Sequence, residues 1–157
     1  FSRIAGAMAL AGANIVAAQI FTMANGMALD TFLVQEASTM GGPGAAFDKP
    51  ERLARLSTLI EQALSGRLKL REALSKRPAV PSRTSVFTVP PRAVIDNKAS
   101  ATHTLIEVNG RDRVGLLFDV TNALTELGLS IATAGLWLLS RLPQDAGYVA
   151  DVMPALD

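Results

Sequence analysis

Cysteine is absent from this 157-residue chain, and histidine, tryptophan and tyrosine occur once each. Without cysteine there is neither a disulfide framework nor a cysteine-ligated zinc site. A reducing, cytoplasmic setting is the expectation. With His103 as the sole histidine, no multi-histidine metal centre and no Cys-His nucleophile pair can be assembled, and no Ser-His-Asp set is in view. Aromatics make up 5% of the residues, so the core has to come from Ala, Leu, Val and Ile. The net charge of +1 lacks the basic excess of a dedicated nucleic-acid binder. Ile4 to Leu29 carries no charge, yet Asn14, Gln19, Asn25 and many Ala and Gly residues give it too little transfer energy for a membrane span. The chain opens on Phe1 with no basic leader before its apolar residues, which is the look of a piece of something longer.

The stretch around which the rest is organised runs from Thr102 to Ile131. Thr104 to Val108 alternates and is β-branched, as a strand with one buried face requires. Asn109 and Gly110 are expected to end it. Asp112 then stands near a helix start, where a carboxylate accepts hydrogen bonds from free backbone N–H groups. Leu116, Leu117, Val120, Leu124 and Leu127 form the apolar stripe of that helix, and Gly128 stops it. A strand-to-helix turn of this kind offers backbone donors to a small anionic group.

Upstream, Phe1 to Ala11 has helical spacing, with Phe1, Ile4, Ala5, Met8 and Ala11 on one face, and Gly12 ends it. Asn14 to Thr22 is a strand. Asn25-Gly26 marks a hairpin turn, since both positions tolerate positive φ, and Met27 to Gln35 is the partner strand. There Leu29, Thr31 and Leu33 face one way and Ala28, Asp30, Phe32 and Val34 the other. A Gly-rich loop from Ser38 to Phe47 leads to a helix start at Asp48-Lys49-Pro50-Glu51. Leu53, Leu56, Ile60 and Leu64 are its expected buried stripe. Leu68, Leu70 and Leu74 continue a shorter helical piece beyond Gly66. Pro78 and Pro81 make an extended connector, and Val86 to Ile95 is a strand that Pro90-Pro91 confines to an edge.

Residues 117–131 overlie residues 1–15 without a gap: stripe, stop glycine and strand entry coincide. One copy lacks an opening strand and the other runs out early, but superimposed they give β-α-β-β-α-β. The expected class is therefore α+β, a ferredoxin-like layer of helices on an antiparallel sheet.

The run V-F-T-V-P-P-R-A-V-I-D-N-K-A-S-A-T-H-T-L-I-E-V-N-G-R-D-R-V-G-L-L-F-D-V-T, Val86 to Thr121, resembles the C-terminal tandem ACT domains of bacterial protein-PII uridylyltransferases. F-S-R-I-A-G-A-M-A-L-A-G-A-N-I-V with N-G-M-A-L-D-T-F-L-V-Q resembles the penultimate ACT domain of the same enzymes. The resemblance implies a first domain over 1–96, lacking its opening strand, and a second over 97–157. It implies a glutamine-sensing regulatory region controlling nitrogen assimilation, which favours removal of uridylyl groups from the PII protein over their attachment. The catalytic domains of the parent enzyme are then its partners. By matching position the effector loop is Asn109, Gly110, Asp112, Arg113, Gly115 and Leu116, with Asn14 added from the first copy. Val114 stands where the family has Pro. From Gly135 the likeness stops, and a shifted reading frame or a damaged gene end would account for that.

The nucleotidyltransferase and His-Asp hydrolase motifs of the parent are absent, so this chain alone is expected to be no enzyme and to need no cofactor. Asp112 is more commonly a helix cap than a ligand group, and Asn14 and Asn109 are also ordinary turn residues. Between Lys49 and Arg83, nine Lys and Arg stand against Glu51, Glu61 and Glu72, which is a solvated helix face or a docking surface for an acidic partner or for the catalytic part of the parent. Two rival expectations remain: a strand-pairing module that self-associates through sheet edges, and a non-functional gene fragment.

Overall fold

Ser2–Ala11 (α1) is a helix because nothing in it opposes one: seven of its ten residues are Ala, Ile, Leu or Met, with a lone Gly6 in its interior. Its end is enforced by Gly12, whose φ of 80° lies where side chains are strained and whose N–H returns to the last turn of α1. The computed structural model describes residues 1–37, 44–77, 90–111, 113–138 and 145–154. After α1 come β1 (Ala13–Thr22), β2 (Ala28–Glu36), α2 (Pro50–Leu64), α3 (Leu70–Ser75), β3 (Arg92–Asp96), β4 (Thr104–Arg111), α4 (Leu116–Glu126), β5 (Leu129–Leu138) and β6 (Asp145–Pro154). The architecture is mixed helix and sheet, compatible with ferredoxin-like pieces. The chain divides into two compact units, each drawn from three stretches.

The helical unit takes Phe1–Ile15, Val34–Phe87 and Arg113–Thr121. Here α1 packs on α2 and α3, burying Ala5, Ala7, Met8, Leu56, Ala63 and Leu70. Pro50 occupies the first position of α2, with Glu51 in its first turn, as the sequence indicates. The expected stripe of α2 is corrected: Leu56 is buried, but Leu53 and Leu64 are 45% and 51% exposed, and Ala63 takes the contact position. Ala63 stands one heptad from Leu56, on the same face of the helix. Two arginines close this unit by capping helix ends. Arg3 of α1 donates to the Leu64 carbonyl at the end of α2 (3.0 Å), and Arg77 donates to the Ala9 carbonyl of α1. At the start of α4, Leu117, Phe118 and Thr121 are buried. Thr121 is fully enclosed and satisfies its hydroxyl by donating to the Leu117 carbonyl at 2.7 Å.

The sheet unit takes Val16–Leu33, Thr88–Asp112 and Asn122–Asp157. Strand order across the six-stranded sheet is β2-β1-β5-β6-β4-β3. β3 starts directly after Pro90-Pro91 and pairs only with β4, at the sheet edge those prolines require; residues 86–89 of the expected strand lie outside the described residues. The turn between β1 and β2 uses positive φ at Gly26 alone; the Asn25 side chain instead accepts a hydrogen bond from the Met27 N–H at 3.0 Å. Asn109 and Gly110 do not end β4, as the sequence leads one to expect. They are paired with Gly147 and Ala146 of β6, and the ladder continues to Arg111.

The repeat is present in three dimensions as helix, left-handed glycine and ten-residue strand. Gly12 and Gly128 have φ of 80° and 70°, and β1 and β5 are equal in length and shifted by 116 residues. β1 and β5 pair antiparallel with Gln19 opposite Gly135, its own counterpart. The pairs Ala17–Trp137 and Phe21–Thr133 exchange when the copies are exchanged, so a local two-fold axis passes between Gln19 and Gly135.

Two stability tests follow from this packing. A Cβ on Gly6 would lie 2.8 Å from Phe118 Cδ2 and 2.9 Å from Leu70 Cδ1. Gly6→Ala is expected to destabilise the chain by about 1–3 kcal/mol despite the better helix propensity of Ala, read by denaturant unfolding; Leu70→Ala in the same chain should return part of that loss. Burial pushes the Asp30 carboxyl above the ordinary carboxylate value of 3.8, and its Oδ1 has no hydrogen-bond partner. A raised folded pKa means that stability is fully present below the unfolded value and is lost as pH rises through the folded one. Asp30→Asn should therefore raise the unfolding temperature at neutral pH, with the gain shrinking toward pH values below 3.8.

Candidate functional site

The corner between β4 and α4 is built by a strand that needs its last residues for pairing and a helix that needs a glycine to begin. Asn109 is held in the sheet between Arg92 of β3 and Gly147 of β6. Its side-chain amide donates to Glu107 Oε1 at 2.7 Å. Two residues apart on one strand, the two side chains share a face. Gly110 is buried, and a Cβ there would meet Pro91 at 4.0 Å, an ordinary contact. Asp112 lies outside the described residues.

Gly115 then turns the chain with φ of 85°. The Leu116 N–H donates to the Arg113 carbonyl (3.1 Å) and the Asp119 N–H to the Gly115 carbonyl (3.0 Å), so α4 is nucleated on these two carbonyls. The next two N–H groups of α4, those of Leu117 and Phe118, belong to the first turn of a helix, where backbone donors have no acceptor within the helix itself. Leu116 is half-buried at the first helical position. The Arg113 guanidinium is ion-paired with Asp119 Oδ2, both side chains being about half exposed (49% and 51%). Exposure at that level limits such a pair to roughly 0–1 kcal/mol. It orients Arg113 without committing it. Val114, in the position where Pro was expected, is 37% exposed.

Asn14 stands at the start of β1, two residues after Gly12 and half-buried. Among the described residues no hydrogen bond or ion pair joins it to Arg113, Gly115 or Leu116. Two partners went unseen in the sequence, Glu107 and Asp119. The first was signalled by the two-residue strand spacing to Asn109. The second lies in the first turn of α4, where an acid meets the chain arriving from β4. Outside the corner, the His103 ring is engaged locally, with Nδ1 at 2.7 Å from Thr102 Oγ1. Among the described residues no group of three or more His, Asp or Glu gathers, and no helix is long and apolar enough to cross a membrane.

What the corner can do follows from its donors. A guanidinium on an exchangeable ion pair at a helix start suits one carboxylate or a similar small anion, and Asn109 and Glu107 form a polar pair of their own on β4. Gly115 is there for its backbone angle alone, since a Cβ would meet nothing within 4 Å. Gly115→Ala should cost about 1–2 kcal/mol from the left-handed conformation only, and Gly115→Asn distinctly less, measured by thermal unfolding of both variants.

No protein-family model and no solved structure matches the chain. Among curated proteins, a bifunctional uridylyltransferase/uridylyl-removing enzyme of Azospirillum brasilense is 57% identical over 153 residues, 97% of this chain. Proteins of the same name from Gluconobacter oxydans and Rhodospirillum rubrum are each 49% identical, over 98% and 97% of it. The chain spans about 16% of the length of these relatives. The matched span runs well past Ala134, where the residues by themselves gave no likeness, and a reading-frame shift is not needed to account for it.

Proposed function

The chain is a homologue, over nearly all of its length, of one segment of the bifunctional uridylyltransferase/uridylyl-removing enzymes, and from that premise we propose that it is the tandem ACT-type regulatory region of such an enzyme, sensing glutamine. The repeat carries this reading. Two helix–glycine–strand units, joined across a local two-fold axis between Gln19 and Gly135, are what two fused copies of one sensing unit would form.

Glutamine would enter at the β4–α4 corner as an α-amino acid. Its carboxylate would take the first-turn N–H groups of α4 and the Arg113 guanidinium, displacing Asp119. Leu116 would supply an apolar wall. Asn109, Gly110, Asp112 and Asn14 belong to the proposed set on the resemblance alone. The chain does no chemistry itself in this proposal. Its occupied state would bias the catalytic domains of the longer enzyme, in the cytoplasm, toward removal of uridylyl groups from the PII protein and away from their attachment, linking glutamine to nitrogen assimilation.

Titration calorimetry with L-glutamine tests this. Saturable heat at millimolar ligand is expected, and no heat in that range would defeat the glutamine assignment. Arg113→Met should weaken binding by about tenfold or more, the loss of a charge-assisted contact. The same variant should unfold within about 0.5 kcal/mol of the parent chain, because its ion pair is exposed.

A further inference from the structure

The two units of the chain carry opposite charge. Lys and Arg outnumber Asp and Glu by eleven to six in the helical unit, and the acids lead by eight to four in the sheet unit. The basic excess is therefore local, and it is densest where α2 passes into α3. From Arg67 to Arg71 burial alternates: Arg67, Lys69 and Arg71 are exposed, while Leu68 is half-buried and Leu70 is buried. The two leucines anchor the segment and turn three cations outward as a ridge.

Backbone hydrogen bonds hold this ridge in place. Gly66, with φ of 73°, reverses the chain at the end of α2. The N–H groups of Arg67 and Leu68 both donate to the Gln62 carbonyl, at 3.0 and 3.2 Å. The Arg67 Nε–H donates to Ser65 Oγ at 2.9 Å, and among the described residues Arg67 meets no carboxylate. Lys69 lies 3.4 Å from Glu72, but with side chains 80% and 62% exposed that pair holds it loosely. Two other acids of the helical unit are engaged elsewhere, Glu36 by Lys49 and Arg52 and Asp119 by Arg113. Three residues before Arg67 stands Leu64, 51% exposed, and Leu53, three turns earlier on the same side of α2, is 45% exposed. Cations beside open leucines suit a protein surface. A nucleic acid calls for aromatic rings on which bases stack, and Pro50 to Arg77 contains no Phe, Tyr or Trp.

We propose that the Arg67–Lys69–Arg71 ridge, with Leu64 beside it, docks this chain on an acidic face of the remainder of the full-length polypeptide. This rests on the reading of the chain as a segment of a longer enzyme, since it spans about 16% of the length of its relatives. The remainder is tethered to the chain, so its effective concentration exceeds that of a separate partner making equal contacts. Opposite charge selects the face that is met and its register, and Leu64 adds apolar area. A second copy of this chain suits the surface less well. A two-fold contact through one patch sets the ridge against itself, like charge on like.

Zero-length carbodiimide cross-linking of the full-length polypeptide, read by mass spectrometry, tests this with Lys69 as the reporter. Lys69 is expected to be joined to Asp or Glu side chains outside the 157 residues, in a yield that falls as salt is raised. Arg67→Glu combined with Arg71→Glu should lower that yield by about tenfold or more, whereas Arg67→Lys combined with Arg71→Lys should keep most of it. Thermal unfolding of both double variants should match that of the parent protein, which separates lost docking from lost folding. Links from Lys69 confined to the 157 residues overturn the proposal. So do links to a second copy, recognised by mixing isotope-labelled with unlabelled protein. Nucleic acid that co-purifies with the parent protein and not with the Glu variant overturns it as well. None of these outcomes depends on glutamine, so a failed docking surface and a failed calorimetric response are separate results.

Discussion

The antiparallel seam between β1 and β5 is the constraint on which the sheet depends. Among the described residues it is the junction through which the first copy's hairpin joins the strands of the second. Its register is fixed by burial: Ile20 faces Ala134 and both are buried, while Phe21, on the next residue, is 53% exposed. Sliding the seam by one residue would turn Ile20 toward water and Phe21 inward, reversing every side chain in the strand. Pairing counterpart with counterpart at Gln19 and Gly135 follows from having the same strand twice. A register that buries one copy's face buries the other's only if the axis passes through equivalent residues. The Thr22 hydroxyl, donating to the Ile131 carbonyl at 3.3 Å, holds the same register from the end of the strand.

The helical unit solves a different problem with few resources. Aromatic residues are scarce, and α1 is built largely from small ones, so its stability comes from close approach rather than from large side chains. Gly6 admits Phe118 and Leu70, and on α2 the small Ala63 is buried. Close approach leaves little room for side-chain caps, and none is found at the starts of α1, α2 and α3. The helix ends are served instead by Arg3 and Arg77, long side chains that reach from one helix to the last carbonyls of another. Each places a cation at the negative end of a helix while tying two helices together.

The repeated helix–glycine–strand unit was legible because all its signals are local: an apolar period of 3.6, a glycine stop and a β-branched run. The Pro50 start of α2 and the edge position of β3 were legible for the same reason. What could not be read depends on partners distant in sequence. Asn109-Gly110 is a strong turn signal by composition, yet β6 offers Gly147 and Ala146 as ladder partners, and their hydrogen bonds outweigh the local preference. The leucine stripe expected of α2 gives way at its end, where Leu64 is 51% exposed and the neighbouring Ala63 is buried. Thr121 lies off the leucine stripe and yet is fully enclosed, since a hydroxyl that bonds back to its own helix behaves as an apolar surface. At the candidate site, sequence position gave Asn109, Arg113 and Gly115, whereas Glu107 and Asp119 required geometry.

That division bears on the proposed glutamine response. A ligand can shift an equilibrium only by the difference in its affinity for two states. Groups locked in a core have one state, and groups on a free loop have too many. At the start of α4, Leu117 and Phe118 are anchored in the helical core, whereas Gly115 has no neighbour to restrain a side chain and Arg113 is held by one half-exposed carboxylate. An ion pair worth no more than about 1 kcal/mol holds an arrangement that, in the proposed reading, a ligand carboxylate would replace at little cost.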